Sequence, residues 1–341
     1  MMNNKEKAQL VKSNWWRWPF EALFPDKKFD GQLQNPGSEE IFDFDDVIAN
    51  TNPIATINQE IVYYPENDRG ELFAIFIPGL GQVAKESSRR SRRYAVTLKT
   101  GVANLNNSSF IRTNPISRFM NSLLDWIDAA IHRIGLSGSP AINNTTSLIL
   151  SAIENETPVN FSGDSHGTIL LARAIYRAKR KFIGQYGKFW NLKQRQIGSA
   201  KWERVTSEVI NIFAFGNGYK NWAKGPKYIM VSIEGDVVPN TLGLTPQKAV
   251  KYKRDDITFL IFPRIFPQGS FEAHNMMFTT ELLRHTFLKN NMEIGDFNTL
   301  YEKLKNKTLE LASPDEVPWP SDMKDYVWNE ESLNSIQIAS D

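Results

Sequence analysis

Short apolar runs separated by turn-forming residues mark six strand candidates, at residues 59 to 64, 71 to 77, 159 to 163, 208 to 214, 228 to 233 and 257 to 262. Runs of this length, rich in Val, Ile, Phe and Tyr, suit strands buried on both faces. Helical patterns lie between most of the later runs. Thr168 to Ile175 carries small and apolar residues at helical spacing without Gly or Pro, and Ile116 to Ile134 and Glu281 to Phe287 share the period. This alternation predicts an α/β fold with a mainly parallel central sheet and helices on both faces. Glu60-Ile61-Val62-Tyr63-Tyr64 and Leu72 to Ile77, joined through Asn67-Asp68-Arg69-Gly70, predict an antiparallel hairpin at its beginning. Residues 94 to 115, polar and Asn-rich between β-branched stretches, carry no assignment.

The flanks lack such periodicity. Residues 1 to 58, rich in Asn, Pro and charge, read as an irregular N-terminal extension, and residues 309 to 341 as an acidic C-terminal tail with eight acidic side chains against one basic. Trp319 and Trp328 are expected to anchor part of that tail. The 341 residues, 41% of them hydrophobic, suffice for one sizeable domain, drawn here as 59 to 308. With no cysteine, disulfides and thiolate metal sites are excluded, and no His/Asp/Glu grouping has metal-ligand spacing, so neither metal nor cofactor is expected. The chain has no apolar run of about 18 residues and no apolar secretory core in its first 24 residues, which makes the cytoplasm the expected compartment.

The clearest chemical signal is Gly163-Asp164-Ser165-His166-Gly167, where the apolar run at Val159 gives way to the helical pattern from Thr168. A serine turned out sharply between strand and helix needs close approach of its neighbours, which glycines permit. The helix N-terminus beyond it favours negative charge, as a tetrahedral acyl-transfer intermediate develops. A plain strand-to-helix turn with a capping serine fits the pentapeptide equally well.

A serine hydroxyl needs a general base, and the chain has four histidines. His166 follows Ser165 directly, where its backbone N–H is more useful than its ring. His132 and His285 fall within helical patterns, the first on the polar side. His274 differs: the strand candidate ending at Phe262 is followed by a Pro/Gly-rich loop that delivers His274 just before a helix. Asp236 lies at another strand end, where Lys227 to Glu234 breaks at Gly235-Asp236 before Pro239. A buried carboxylate there can fix the imidazole tautomer and stabilise the imidazolium. Taken singly, a loop histidine and a strand-end aspartate are also explained by local structure.

The order Ser165, Asp236, His274, each after its own strand, resembles that of the α/β-hydrolases. Asp236-Val237-Val238-Pro239 is similar to the D-x-V-P segment of lipase class 3-like serine hydrolases, over roughly residues 59 to 290. The resemblance implies an α/β-hydrolase fold, with Ser165 as nucleophile, Asp236 as the acidic member and His274 as general base. It also implies an oxyanion hole made by the His166 N–H and a donor from the loop after an earlier strand. Pro78-Gly79-Leu80-Gly81-Gln82 resembles the family's H-G-x-G loop with Pro78 in place of His, which makes Leu80 N–H the first choice and Gly81 the second. Thr168 stands where many members have Gly or Ala.

The expected activity is cleavage of a carboxylic ester, with a small-molecule or lipid ester as substrate. Net charge is +2, yet residues 173 to 204 hold ten Lys/Arg against one Glu, and Lys85 to Arg93 adds a second basic run. Arg89, Arg90, Arg92 and Arg93 follow the oxyanion loop closely enough to contact an anionic substrate; a solvated helix face is the alternative. Trp15-Trp16-Arg17-Trp18-Pro19-Phe20 suits either packing on the domain or a peripheral membrane contact. The competing functional class is a catalytically inert hydrolase scaffold that binds a nucleic acid or other anionic partner through its basic runs. No recognised nucleic-acid-binding motif accompanies the charge, so the enzyme is the favoured expectation.

Overall fold

Eight strands form one sheet in the order β2-β1-β4-β3-β5-β6-β7-β8 in the computed structural model, which describes residues 29–65, 73–79, 84–107, 139–187, 191–265 and 272–319. They are β1 Leu33–Gln34, β2 Ile41–Phe42, β3 Phe73–Ile77, β4 Gly101–Leu105, β5 Val159–Asp164, β6 Ile210–Phe215, β7 Lys227–Ile233 and β8 Ile257–Phe262. All pairings from β4 through β8 are parallel, whereas β1 and β2 join antiparallel at one edge. The architecture is therefore α/β, as the alternation of runs predicts.

The helices are α1 Phe44–Ile48, α2 Pro53–Thr56, α3 Ala84–Leu98, α4 Pro140–Glu154, α5 His166–Gly184, α6 Leu192–Val209, α7 Val237–Thr241, α8 Pro246–Lys251, α9 Met276–Lys289 and α10 Phe297–Lys305. Alternate strand residues face opposite sides. Ile210, Ile212 and Ala214 of β6 enter one core with α4, α5 and α6, while Phe213 and Phe215 enter a second with α3, α9 and α10. This two-sided burial explains why the strands read as continuous apolar runs.

The hairpin expected from Glu60–Tyr64 and Leu72–Ile77 does not form. Asn52 caps α2 with Pro53 at its first position, and the helix passes into a π-helical turn, Ile57–Ile61. Ile54, Ile57 and Ile61 recur at helical spacing and are fully buried, so tertiary burial overrides their β-branched preference. Tyr63 alone of this stretch pairs, through an antiparallel bridge to Val102. Both edges of β3 are occupied by parallel neighbours, β4 and β5.

The unassigned stretch from residue 94 contains the end of α3 and all of β4. Ser87 and Ser91 of α3 both donate to Asn104 Oδ1 at 3.0 Å, and Asn104 Nδ2 donates to Gln34 Oε1 of β1 at 3.1 Å. This buried polar cluster, invisible to an apolar pattern, joins helix to sheet. Residues 29 to 58 of the extension carry β1, β2, α1 and α2, and Leu33, Phe44, Val47 and Ile48 belong to the first core. From the tail, Val317 and Trp319 belong to the second, with Trp319 edge-on to Phe278 at 5.7 Å between ring centroids. Trp15 to Phe20, the helical pattern with His132, and Trp328 lie outside the described residues. Among the described residues no helix is long and apolar enough to cross a membrane.

Candidate active site

β5 delivers Ser165 to the carboxyl end of the parallel strands, where open α/β sheets bind ligands. Its φ of 51° and ψ of −114° lie in a sparsely populated region for a residue with a side chain. Such a conformation costs on the order of 1–3 kcal/mol and persists only where its surroundings enforce it. Here the Ser165 N–H donates to Phe215 O at 2.9 Å, while Ser165 O accepts from Thr168 N at 3.0 Å and from Thr168 Oγ1 at 2.6 Å. Thr168 Oγ1 in turn accepts from Gly218 N at 2.9 Å. Thr168, the departure from the Gly or Ala of the resemblance, thus locks the turn. Ser165 stands at the N-cap of α5 without a side-chain capping bond, so the capping alternative does not account for its hydroxyl.

The glycines of the pentapeptide meet backbone. A Cβ on Gly167 would lie 2.1 Å from Ile77 O, and one on Gly163 would lie 3.0 Å from Thr168 N. Any larger residue at 167 would force α5 away from the end of β3.

Asp236 follows β7 through Gly235, whose φ is 93°. Its buried carboxylate accepts from Val238 N at 2.9 Å and caps α7. His274 ends a short 3-10 turn, Glu272–His274, ahead of α9. Its Nδ1 lies 3.1 Å from Asp236 Oδ1 and 3.0 Å from Oδ2. Donation from Nδ1 to this acceptor leaves Nε2 as the basic nitrogen, and Nε2 is buried without a hydrogen-bond partner among the described residues. Burial depresses the imidazole pKa, but the Asp236 hydrogen bond and charge, with the charge of Asp164, raise it overall.

Ser165 and His274 meet on one turn. Gly216 follows Phe215, the acceptor of the Ser165 N–H, and the imidazole lies against Gly216: a Cβ there would fall 2.4 Å from His274 Cε1. No hydrogen bond joins Ser165 Oγ to Nε2 among the described residues. Reactive hydrogen bonds are often loose in unliganded sites and tighten around substrate.

The loop after β3 passes over the serine. A Cβ on Gly79 would lie 3.1 Å from Ser165 Cβ and 3.2 Å from Asp164 Oδ2. Leu80 and Gly81, the expected loop donors, lie outside the described residues. His166 heads α5, which sets its backbone N–H at the positive end of the helix dipole.

Asp164 and Arg90 form a second charged pair. Arg90 Nη1 lies 3.8 Å from Asp164 Oδ2, whereas Asp164 Oδ1 is buried without a hydrogen-bond partner among the described residues. Burial raises the Asp164 pKa, opposed by the charges of Arg90 and His274 and reinforced by Asp236. Of the arginines expected to border the site, Arg90 reaches the pentapeptide; Arg89 on the same helix is exposed, and Arg92 and Arg93 are half-buried. His285 belongs to α9, where burial and then the charge of Arg284 lower its pKa. No hydrogen bond or ion pair links it to Ser165 among the described residues.

Sequence reasoning missed Gly216, which no motif marks, and Asn107, which falls in the unassigned stretch. Asn107 Nδ2 donates to Pro78 O at 3.0 Å and lies 3.1 Å from His166 Nδ1. No family model matches this chain, and no solved structure matches it.

Proposed function

We propose that the chain is a serine hydrolase of the α/β-hydrolase type, similar to lipase class 3 enzymes, that cleaves a carboxylic ester through an acyl-enzyme on Ser165. One observation carries the reading: a serine held at positive φ, with an uncapped hydroxyl, shares the Phe215–Gly216 turn with a histidine whose other nitrogen is bound by a buried carboxylate. In this reading Ser165 Oγ attacks the acyl carbonyl as His274 Nε2 takes its proton, and Asp236 stabilises the imidazolium. The His166 N–H and a loop donor, Leu80 before Gly81, receive the negative charge on the former carbonyl oxygen. The imidazolium then protonates the departing alkoxide. Water attacks the acyl-enzyme by the same steps in reverse, releasing the acid and restoring Ser165.

Crowded cations favour the second reading, a scaffold that binds an anionic partner. The pKa of Arg177 is lowered by burial and then by Arg173 and Arg180, and that of Lys181 by burial and then by Arg177. An anion bound there would relieve this repulsion. A fluorophosphonate probe and a panel of p-nitrophenyl esters, applied to wild type and Ser165→Ala, separate the two readings. Labelling and turnover that depend on Ser165 are expected. Their absence, with tight salt-sensitive binding of a polyanion, would replace the enzyme by the scaffold.

A further inference from the structure

We infer that Asn107 is the positioning residue of the oxyanion site, tying the loop after β3 to the residue that follows Ser165. The inference rests on the reading of Ser165 as a nucleophile. Its basis is one buried amide that bridges two segments far apart in sequence, at Pro78 and at His166.

β4 runs parallel to β3 with Asn104 opposite Phe76, so the chain leaving β4 emerges beside the chain leaving β3. Asn107 sits three residues beyond Asn104 and is 5% exposed. One N–H of Nδ2 goes to Pro78 O and the other is directed to His166 Nδ1, at 3.0 and 3.1 Å. Acceptance at Nδ1 requires His166 to be neutral, with its proton on Nε2. His166 is itself 2% exposed. The ring beside the nucleophile thereby gains a structural use that its place in the pentapeptide does not reveal.

The bond to Pro78 O controls backbone direction. In a trans peptide the carbonyl of Pro78 and the N–H of Gly79 point opposite ways, so fixing one fixes the other. The same carbonyl is close to Gly167, whose Cβ would lie 2.8 Å from it. Pro78 O is therefore held between Asn107 and the first turn of α5, while Gly79 faces Ser165. Donors aimed in advance at the developing oxyanion need no reorganisation during reaction, and a misplaced loop loses that advantage.

The residue type fits the task. Asn supplies two N–H groups from a single nitrogen on a short stem; Ser or Thr supplies one O–H, and ionised Asp supplies none. Being uncharged, the amide leaves the balance among His274, Asp236, Asp164 and Arg90 undisturbed.

The test uses the full chain with Asn107→Ala and the near-isosteric Asn107→Asp, assayed on p-nitrophenyl butyrate beside wild type and Ser165→Ala. Removing an oxyanion donor costs about 10²–10³ in kcat, so loss of a residue that orients one should cost roughly 10- to 100-fold. KM should stay within about threefold, because the contact it organises is made in the transition state. Affinity for an alkyl trifluoromethyl ketone, which forms a tetrahedral adduct with a serine, should fall by the same factor as kcat/KM. The pH midpoint of kcat/KM should not move in Asn107→Ala. Should Asn107→Ala fail to fold, Asn107→Asp carries the comparison of kcat, KM and ketone affinity, measured on the plateau of its own pH profile. Wild-type kcat in a folded variant, or a raised KM with undiminished ketone affinity, overturns the positioning role alone. Absence of Ser165-dependent turnover in wild type overturns the hydrolase reading and this inference with it.

Discussion

The imidazole of His274 rests on Gly216 so closely that a Cβ on that glycine would lie 2.4 Å from Cε1 and 2.6 Å from Nδ1. The φ of Gly216 is 53°, so alanine there would strain the backbone as well as displace the ring. Gly216→Ala should cost about 1–2 kcal/mol of stability. Its effect on chemistry should be larger, because a ring moved off Gly216 loses its alignment with Asp236 and Ser165. Fluorophosphonate labelling at least about 100-fold slower is expected, since a displacement near 1 Å can cost that much. Wild-type labelling in a folded variant would show that the close contact does not position the base.

If Ser165, His274 and Asp236 act in one step, their losses cannot multiply. Ser165→Ala and His274→Ala should each lower kcat by on the order of 10⁴-fold or more, and the double variant should lose little further. Asp236→Asn should also be severe, because the amide presents the wrong partner to Nδ1. His285→Ala and His132→Ala should stay within a few fold of wild type. Steady-state kinetics of the single and double variants test this directly. A large loss in folded His285→Ala would move the base role to His285.

Legibility in the sequence followed the physics of each element. β8 is bounded at the residues its apolar run suggested, Ile257 to Phe262, because an unbroken run rich in β-branched and aromatic residues between turn-forming flanks leaves little freedom of assignment. Residues 59 to 64 misled for the opposite reason: the run that suggested a strand begins inside the helical turn Ile57–Ile61, to which burial recruits Ile61. The α3–β4 unit was hidden because its contact surface is built from Ser87, Ser91 and Asn104. Ser165, Asp236 and His274 could be named because strand ends can be read locally. Gly216 and Asn107 could not, since their roles depend on contacts with residues 58 and 59 positions away in the chain.

If His274 is the base, Asp236 sets its pH window. With the folded pKa of His274 raised above its ordinary 6.5, kcat/KM should climb with pH through a midpoint above that value. Asp164→Asn, which removes one of the raising charges, should move the midpoint down in any variant that retains turnover. Linkage fixes the sign for stability. The His274–Asp236 pair contributes fully below the unfolded histidine pKa, and its contribution is lost as pH rises through the raised folded pKa. The difference in Tm between wild type and His274→Ala should therefore shrink as pH rises from about 5 to 9. A difference that grows over that range would contradict the raised pKa.

Arg90 meets a protein carboxylate, Asp164, next to Ser165, which changes what the run is expected to do. Its attraction for Asp164 is already partly satisfied, at 3.8 Å, and it also reaches Glu86 at 3.5 Å. Replacing Arg89, Arg92 and Arg93 together by Gln should leave the preference between an anionic ester and a neutral ester of matched acyl chain within about twofold, because Arg90 is the member of the run placed against Asp164, next to Ser165. Arg90→Gln should instead affect both substrates alike, acting through Asp164. Burial holds the Asp164 pKa above its ordinary value, so ionising it costs stability that is progressively lost as pH rises from 3.8 through the folded pKa. Asp164→Asn should consequently gain Tm relative to wild type as pH rises across that window, and Arg90→Gln, which removes the opposing cation, should lose it. Melting curves at several pH values read both signs. Selective loss of the anionic ester in the triple variant, falling further with salt, would return those arginines to substrate recognition.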